Sequence, residues 1–305
     1  MVAKLIDGRI VARAARSRIG QRATALKASG VEANLVTILV GDDPASKMYL
    51  KNKHQACKDA SISSRNVELP AETSQRELIE LIHGLNDDSS VTGILLQLPL
   101  PTGLDDVEAV ATIDPKKDVD GLNPYNLGLL AQKAHRAVRL VPCTPAGIMV
   151  LLKYYHVRIA GKHAVVVNRS KLVGRPLMQL LLNDDATVTV CHSKTLALRD
   201  ICRQADVLIT GIGHRSDFTI GADMIKEGAA VVDVGSSFVG GKLMGDVDFD
   251  SVIQVAGYVT PTPGGVGPMT ITMLLYNTLL SACIQKDVDL GLDLNELESS
   301  GQSSS

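Results

Sequence analysis

Short, nearly unbroken apolar runs alternate along this chain with longer segments whose apolar positions recur at helical spacing. Leu35 to Val40, Val91 to Leu98, His163 to Val167, Thr187 to Cys191, Val207 to Thr210 and Ala229 to Val234 are such runs. Rich in Val, Ile and Leu, they suit strands buried on both faces, as in parallel sheets. Arg65 to Leu69 and Gly257 to Thr260 read as shorter strands. Helices are predicted between them. One runs from Arg9 to Ser29, with Gly30 past its end. Another runs from Pro44 to about Asp59, capped by Asp43 or Ser46. A third is capped by Thr73 or Ser74 and reaches about Asn86, with Glu77 completing a capping box. Others run from Asp105 to Ala111, from Thr144-Pro145 to about Tyr155 with Thr as cap, from Pro176 to Leu182, and from Met269 to about Ile284.

This alternation predicts two α/β domains with a cleft between them, the second a Rossmann-type doubly wound parallel sheet. A length of 305 residues fits two domains. Residues 1–145 are assigned to the first and 146–267 to the second. The final helix, about 268–286, is expected to pack back onto the first domain, and 287–305 to form a mobile tail.

Composition narrows the picture. With no Trp and 3% aromatic residues, the cores must be aliphatic. A net charge of -2 without any basic block points away from nucleic acid. Five scattered cysteines without a C-x-x-C pair read as reduced thiols in a cytoplasmic protein. The histidines include no H-E-x-x-H, so no metal is expected. No signal segment opens the chain and no stretch reads as membrane-spanning, so no membrane partner is expected.

The loop Asn168 to Pro176, between a strand and a helix, carries the strongest local signal. Its backbone N–H groups and the helix amino end are expected to meet a pyrophosphate. Asn168 and Ser170 stand where a G-x-G-x-x-G would have glycines, and Asn tolerates a left-handed turn. The next strand ends in Cys191-His192-Ser193-Lys194 without the acid that an NAD ribose usually meets. Arg169 with Ser193 and His192 suits an adenosine 2′-phosphate, so NADP is favoured, with NAD left open. Pro263 to Pro268 has three glycines before a helix and reads as a ligand floor or a hinge. Tyr49 and Lys53 share a helix face at i, i+4, as a proton-handling pair or as part of a lysine-rich surface. The first reading needs the Lys53 pKa to fall, through burial or through Lys47 and Lys51. Gln97 ends a strand, where open α/β sheets place ligands. Asp118 and Asp120 form a solvated turn, or one of them binds a ring with adjacent N–H donors.

Together these stretches resemble one family, the bifunctional methylenetetrahydrofolate dehydrogenase / methenyltetrahydrofolate cyclohydrolases. The resemblance rests on Val40 to Ser46 with Tyr49 and Lys53, Gln97 to Pro101, Lys117 to Gly121, and Pro142 to Pro145. It continues through Arg169-Ser170 with Val173-Gly174, Cys191 to Thr195, Gly245-Asp246-Val247, and Pro263 to Thr270, spanning about Ile6 to Ser281. It implies NADP-dependent oxidation of 5,10-methylenetetrahydrofolate, then hydrolysis to 10-formyltetrahydrofolate, in a homodimer. It also implies Lys53 as general acid/base, oriented by Tyr49 and supported by Gln97, with Asp120 on the pterin. Leu96, Leu98, Pro263, Gly264 and Gly267 complete the implied folate contacts. Asn168, Arg169, Ser170, Gly174, His192, Ser193, Ser236 and Thr270 are the implied cofactor contacts. The family often has Gly at position 168 and Ile-Asn where this chain has Ser236-Ser237, which bears on cofactor preference. An NAD(P)-dependent dehydrogenase of another small substrate is the alternative, without need of Asp120 and the Gln97 loop.

Overall fold

The computed structural model describes residues 2–133, 140–213 and 218–292. In chain order the elements begin β1 (Lys4–Leu5), α1 (Gly8–Ala28), β2 (Asn34–Val40), α2 (Pro44–Asp59), β3 (Ser63–Leu69), α3 (Gln75–Asp87) and β4 (Gly93–Leu96). Then follow α4 (Asp106–Thr112), α5 (Pro124–Ala131), α6 (Cys143–Tyr154), β5 (His163–Val167), α7 (Gly174–Asn183), β6 (Thr187–Cys191) and α8 (Leu198–Cys202). The rest are β7 (Val207–Thr210), β8 (Ala230–Asp233), β9 (Ser237–Val239), β10 (Lys242–Met244), α9 (Phe249–Val252), β11 (Tyr258–Val259) and α10 (Val266–Lys286). They divide into two compact units, one of Ala15–Cys143 with the described part of Ile271–Asp293, the other built on Met1–Ala14 and Thr144–Thr270.

The first unit holds a three-stranded parallel sheet in the order β3-β2-β4. Val36, Ile38 and Val40 of β2 pack with Leu78, Ile82 and Leu85 of α3 and with Ile94 and Leu96 of β4. Helix α2 starts where Asp43 accepts the Ser46 N–H, with Pro44 in the first turn. Helix α3 has the full Ser74–Glu77 capping box. The predicted strand Val91 to Leu98 is shorter, Gly93–Leu96, although the N–H groups of Thr92 and Gln97 on either side of it still donate to the carbonyls of Asn34 and Ile38. Helix α5, capped by Asn123 with Pro124 behind it, was not predicted.

Helix α10 carries a polar stripe at i, i+4 and i+8, its first two members buried and its third half-buried. Asn277 Nδ2 donates to the carbonyls of Val119 at 2.9 Å and Val141 at 2.8 Å. Ser281 Oγ donates to the carbonyls of Thr92 and Lys116, and Gln285 Nε2 to that of Thr92. The expectation that no stretch is long and apolar enough to span a membrane fails here. Among the described residues α10 meets that test by length and composition, and 67% of its apolar window is buried in the fold. Residues 287–292 also depart from the expected mobile tail: Leu290 is buried, Arg22 donates to the carbonyls of Asp289 and Leu290, and Tyr276 to that of Leu292. The remainder of that tail lies outside the described residues.

The second unit holds a six-stranded parallel sheet in the order β1-β11-β8-β7-β5-β6. Its core joins Val165, Leu208, Val231 and Val259 with Ala3. From β5 the chain steps to one side for β6 and to the other for β7, so the topological switch lies between β5 and β7. By its contacts the segment through Ala14 groups with this unit, as β1 pairs with β11. The hairpin β9–β10, also unpredicted, turns on Gly240 and Gly241, both at positive φ (57° and 78°).

Two helix starts differ from expectation. Thr144 is inside α6 and not its cap, since its hydroxyl pairs with that of Thr270 at 3.0 Å. Helix α10 starts at Val266, so Gly267 and Pro268 are helical and the glycine turn shortens to Pro263–Gly265. Gly8 clamps that turn. A Cβ on Gly8 would lie 1.8 Å from the Gly265 carbonyl oxygen. Gly8→Ala is therefore expected to cost roughly 1–3 kcal/mol by overpacking, read as a lower urea midpoint with an unchanged slope.

Candidate active site

Lys53 lies two turns into α2, half-buried, and its Nζ donates to Gln97 Oε1 at 2.9 Å. Gln97 is fixed in turn, because its Nε2 donates to the Leu98 carbonyl at 2.9 Å. Its oxygen therefore faces the amine without adding charge. Burial holds the Lys53 pKa below the ordinary lysine value, and the nearby Asp120 carboxylate opposes that fall. The predicted cause among neighbouring cations is not found. Lys47 is exposed and pairs with Asp42, and Lys51 is exposed beside an open surface groove. Tyr49, one turn before Lys53, is 40% exposed, so its ring is accessible to a ligand.

Three neighbours of Lys53, two of them cysteines, were not singled out from sequence. Cys143 is buried against Asp120 and Lys53, and Cys57 follows Lys53 by one turn. Burial pushes both thiols up, Cys57 to about 11, so both stay protonated at neutral pH. The other is His54. Thr37 Oγ1 donates to Asn66 Oδ1 at 2.9 Å, so it accepts from His54 Nε2 at 3.0 Å. His54 Nδ1 then accepts from Ser64 Oγ at 2.8 Å. Burial and Lys53 hold the His54 pKa down, so a neutral imidazole pins α2 to β2 and β3 and fixes where the Lys53 stem starts.

The segment Lys117 to Asp120 separates into distinct parts. Lys117 Nζ donates to the carbonyls of Leu85, Asn86 and Asp88 at 3.0, 2.6 and 2.8 Å and closes the carboxyl end of α3. Asp118 is buried and accepts from Leu122 N, Asn123 N and Asn126 Nδ2 at 3.1, 2.8 and 2.8 Å. Only Asp120 of the two acids is left half-exposed beside Lys53. The solvated-turn reading is thus wrong for Asp118, which builds the turn that presents Asp120.

In the second unit Asn168 acts through its side chain, not through a left-handed backbone. Its Oδ1 accepts the N–H of Ser170 at 2.7 Å and of Gly174 at 3.0 Å. Its Nδ2 donates to the Gly211 carbonyl, bridging the β5 and β7 loops at the topological switch. Gly174 must lack a side chain, since a Cβ there would lie 2.1 Å from the Asn168 carbonyl oxygen. The amides of Ser170, Val173, Gly174 and Arg175 all have partners inside the loop, so the expectation that they meet a pyrophosphate is revised. The loop offers side chains instead. Ser170 Oγ accepts the Val173 N–H, which leaves its own proton to donate outward, and Arg169 is exposed beside it. Asn168→Ala removes the acceptor of two amides. It is expected to weaken NADP binding about tenfold, on the order of one buried hydrogen-bond penalty, measured by NADPH fluorescence titration.

The β6 loop fits the same ligand. His192 Nδ1 accepts the Lys194 N–H at 3.1 Å and His192 N donates to Thr195 Oγ1 at 2.8 Å, a tight turn that exposes Ser193 and Lys194. No carboxylate stands there to repel a 2′-phosphate. Ser236 is exposed after β8, while Pro263, Gly264, Gly267 and Thr270 lie at the start of α10. Leu96 is buried in β4, and Leu98 packs partly on the same core, so each supports Gln97 more than it presents a surface.

Residues 6–120 match the family model described as tetrahydrofolate dehydrogenase/cyclohydrolase, catalytic domain, and residues 142–286 match its NAD(P)-binding domain. The bifunctional protein FolD of Nitrosopumilus maritimus (strain SCM1) is 47% identical over 288 residues, covering 94% of this chain and 99% of that protein. The structure of the bifunctional enzyme FolD, methylenetetrahydrofolate dehydrogenase/cyclohydrolase, from Campylobacter jejuni is 44% identical with a TM-score of 0.89, covering 93% of this chain and 99% of that one. That of Trypanosoma brucei N5,N10-methylenetetrahydrofolate dehydrogenase-cyclohydrolase, complexed with NADP cofactor and inhibitor, is 38% identical with a TM-score of 0.88, covering 94% and 99%. The chain belongs to the tetrahydrofolate dehydrogenase/cyclohydrolase family.

Proposed function

We propose that this chain oxidises 5,10-methylenetetrahydrofolate to 5,10-methenyltetrahydrofolate with NADP and hydrolyses that product to 10-formyltetrahydrofolate. The observation that carries this reading is the half-buried Lys53 held by Gln97 beside Asp120, within a chain of this family. NADP, which Arg169, Ser170 and Ser193 would hold, would supply the hydride acceptor. The product is a cation shared by two nitrogens, which a fully charged lysine would repel. The depressed Lys53 pKa favours a neutral amine that tolerates this cation. Lys53 then takes a proton from water as the water oxygen bonds to the one-carbon unit, and returns a proton to the nitrogen released on ring opening. Asp120 accepts from the adjacent N–H donors of the pterin. Tyr49 offers an exposed side chain one turn before Lys53, and Arg169, Ser170 and Ser193 receive the cofactor phosphate.

Several further readings accompany this one. The product supplies formyl units to purine and amino-acid synthesis in the cytoplasm, where five buried free thiols would stay reduced. The exposed Phe238 and Val239 of the β9–β10 hairpin support a homodimer, testable by light scattering. The enzyme reading is tested by absorbance assays on the purified protein. Turnover of methylenetetrahydrofolate faster with NADP than with NAD, and separate ring opening of the methenyl compound, are expected. Turnover of another small substrate with none of methylenetetrahydrofolate would contradict it.

A further inference from the structure

Gly245-Asp246-Val247 takes no part in the chemistry above, yet it lies at the centre of a buried network in the second unit. Asp246 is fully buried. Its Oδ2 accepts the Thr210 hydroxyl at 3.0 Å and the Ile212 N–H, and its Oδ1 accepts the Gly213 N–H at 2.9 Å. Asp233, at the end of β8, accepts the N–H groups of Gly235, Asp246 and Val247 at 2.8, 3.0 and 2.9 Å. Two glycines make room for these carboxylates. A Cβ on Gly245 would lie 1.9 Å from Asp233 Oδ2, and one on Gly235 would lie 2.4 Å from the Asp246 carboxyl carbon. The two Asp–Gly pairs are therefore interlocked. With the Asn168–Gly211 bond they join the loops after β5, β7 and β8, at the carboxyl ends of the strands on either side of the topological switch.

The geometry points to Asp246 as a positioning residue for the dinucleotide: it fixes the 211–213 turn and, through Asp233, the turn at Gly235, so that cofactor binding depends on it. This rests on the NADP reading above. A residue with only acceptor oxygens is required, since all three groups facing it are donors. Asparagine cannot replace it, because either amide orientation sets an NH2 group against a donor. The residues assigned to ring opening belong to the first unit, so that reaction does not call on this network.

The test uses the full-length protein, with NADPH as the probe and Asp246→Asn as the first variant. NADPH affinity is expected to fall about tenfold or more, from donors left unsatisfied in a buried site. The dehydrogenase KM for NADP should rise more than kcat falls. Ring opening of methenyltetrahydrofolate, assayed without cofactor, should stay within about twofold, as expected for independent sites. Thr210→Val keeps the shape of the buried side chain and removes one donor, so it serves if the first variant does not fold. It should weaken NADPH binding severalfold, also with ring opening retained. NADPH affinity unchanged in a folded variant would overturn the assignment, as would both activities falling in proportion to lost stability. A wild-type protein that opens the ring but binds no NADPH would instead remove the cofactor reading on which this rests.

Discussion

Lys53→Ala is expected to lower methenyltetrahydrofolate ring opening by roughly 10²- to 10⁴-fold, the usual contribution of a positioned acid/base group. Water attack needs an acceptor for its proton, and the Lys53 amine is held in place by a single neutral partner, Gln97. The protein should remain folded, because the substitution removes a half-buried amine and leaves the Gln97 oxygen without that donor. Lys53→Met, which keeps the aliphatic stem, should behave alike in activity and closer to wild type in its melting temperature. In the wild type, ring opening should rise with pH as the amine loses its proton, with the inflection below the ordinary lysine value of about 10.4. That inflection should vanish in both variants. Ring opening at the wild-type rate in Lys53→Ala would remove the residue from the mechanism.

The second large effect is structural. Asp118→Ala is expected to cost about 3–5 kcal/mol, because Leu122 N, Asn123 N and Asn126 Nδ2 lose their acceptor in a buried turn. Since this turn presents Asp120, the substrate KM should rise as well. Urea denaturation and steady-state kinetics read the two effects. The pH dependence carries a definite sign. Burial raises the Asp118 pKa to about 6, above about 3.9 in the unfolded chain. The folded state therefore binds this proton more tightly. The corresponding stability is fully present below about pH 4 and is lost as pH rises to about 6. Asp118→Asn has no such titration, so its stability relative to wild type should climb over that interval and stay level above it. Asp233, also raised to about 6, contributes a slope of the same sign in both proteins.

The legibility of this chain follows the range of each interaction. Asp43 with Pro44 and Ser74 with Glu77 act on amides within three residues, and both helix starts were readable. The apolar strands β5, β7 and β8 announced a parallel sheet because nearly every residue in them is buried. By contrast, β1 is two exposed residues paired with a strand more than 250 positions away, so it was not predicted as a strand. The Asn277–Ser281–Gln285 stripe has helical spacing, but its carbonyl partners come from three separate segments, at Thr92, Lys116–Val119 and Val141. Lys117 and Asp118 look like a charged turn until their partners are known. Two missed elements did leave local marks: Gly240-Gly241 fits a two-residue hairpin, and Asn123-Pro124 fits a capped helix start.

Lys53, Gln97 and Asp120 were named from sequence, and so were two possible causes of the lysine's low pKa, burial or the nearby cations Lys47 and Lys51. Sequence could not choose between them, and burial is the cause. Asn168 is a similar case. Its identity was seen as a departure, while its three hydrogen bonds, which make it the organiser of the loop, depend on Gly174 and Gly211 approaching it in space.

The most direct test is an NMR titration of the protein with ¹³C-labelled lysine, using Lys53→Arg to assign the Lys53 side-chain signal. A midpoint clearly below that of the exposed lysines, moving further down when Asp120 is replaced by Asn, is the predicted result. A Lys53 midpoint equal to that of the surface lysines would contradict the role given to its amine.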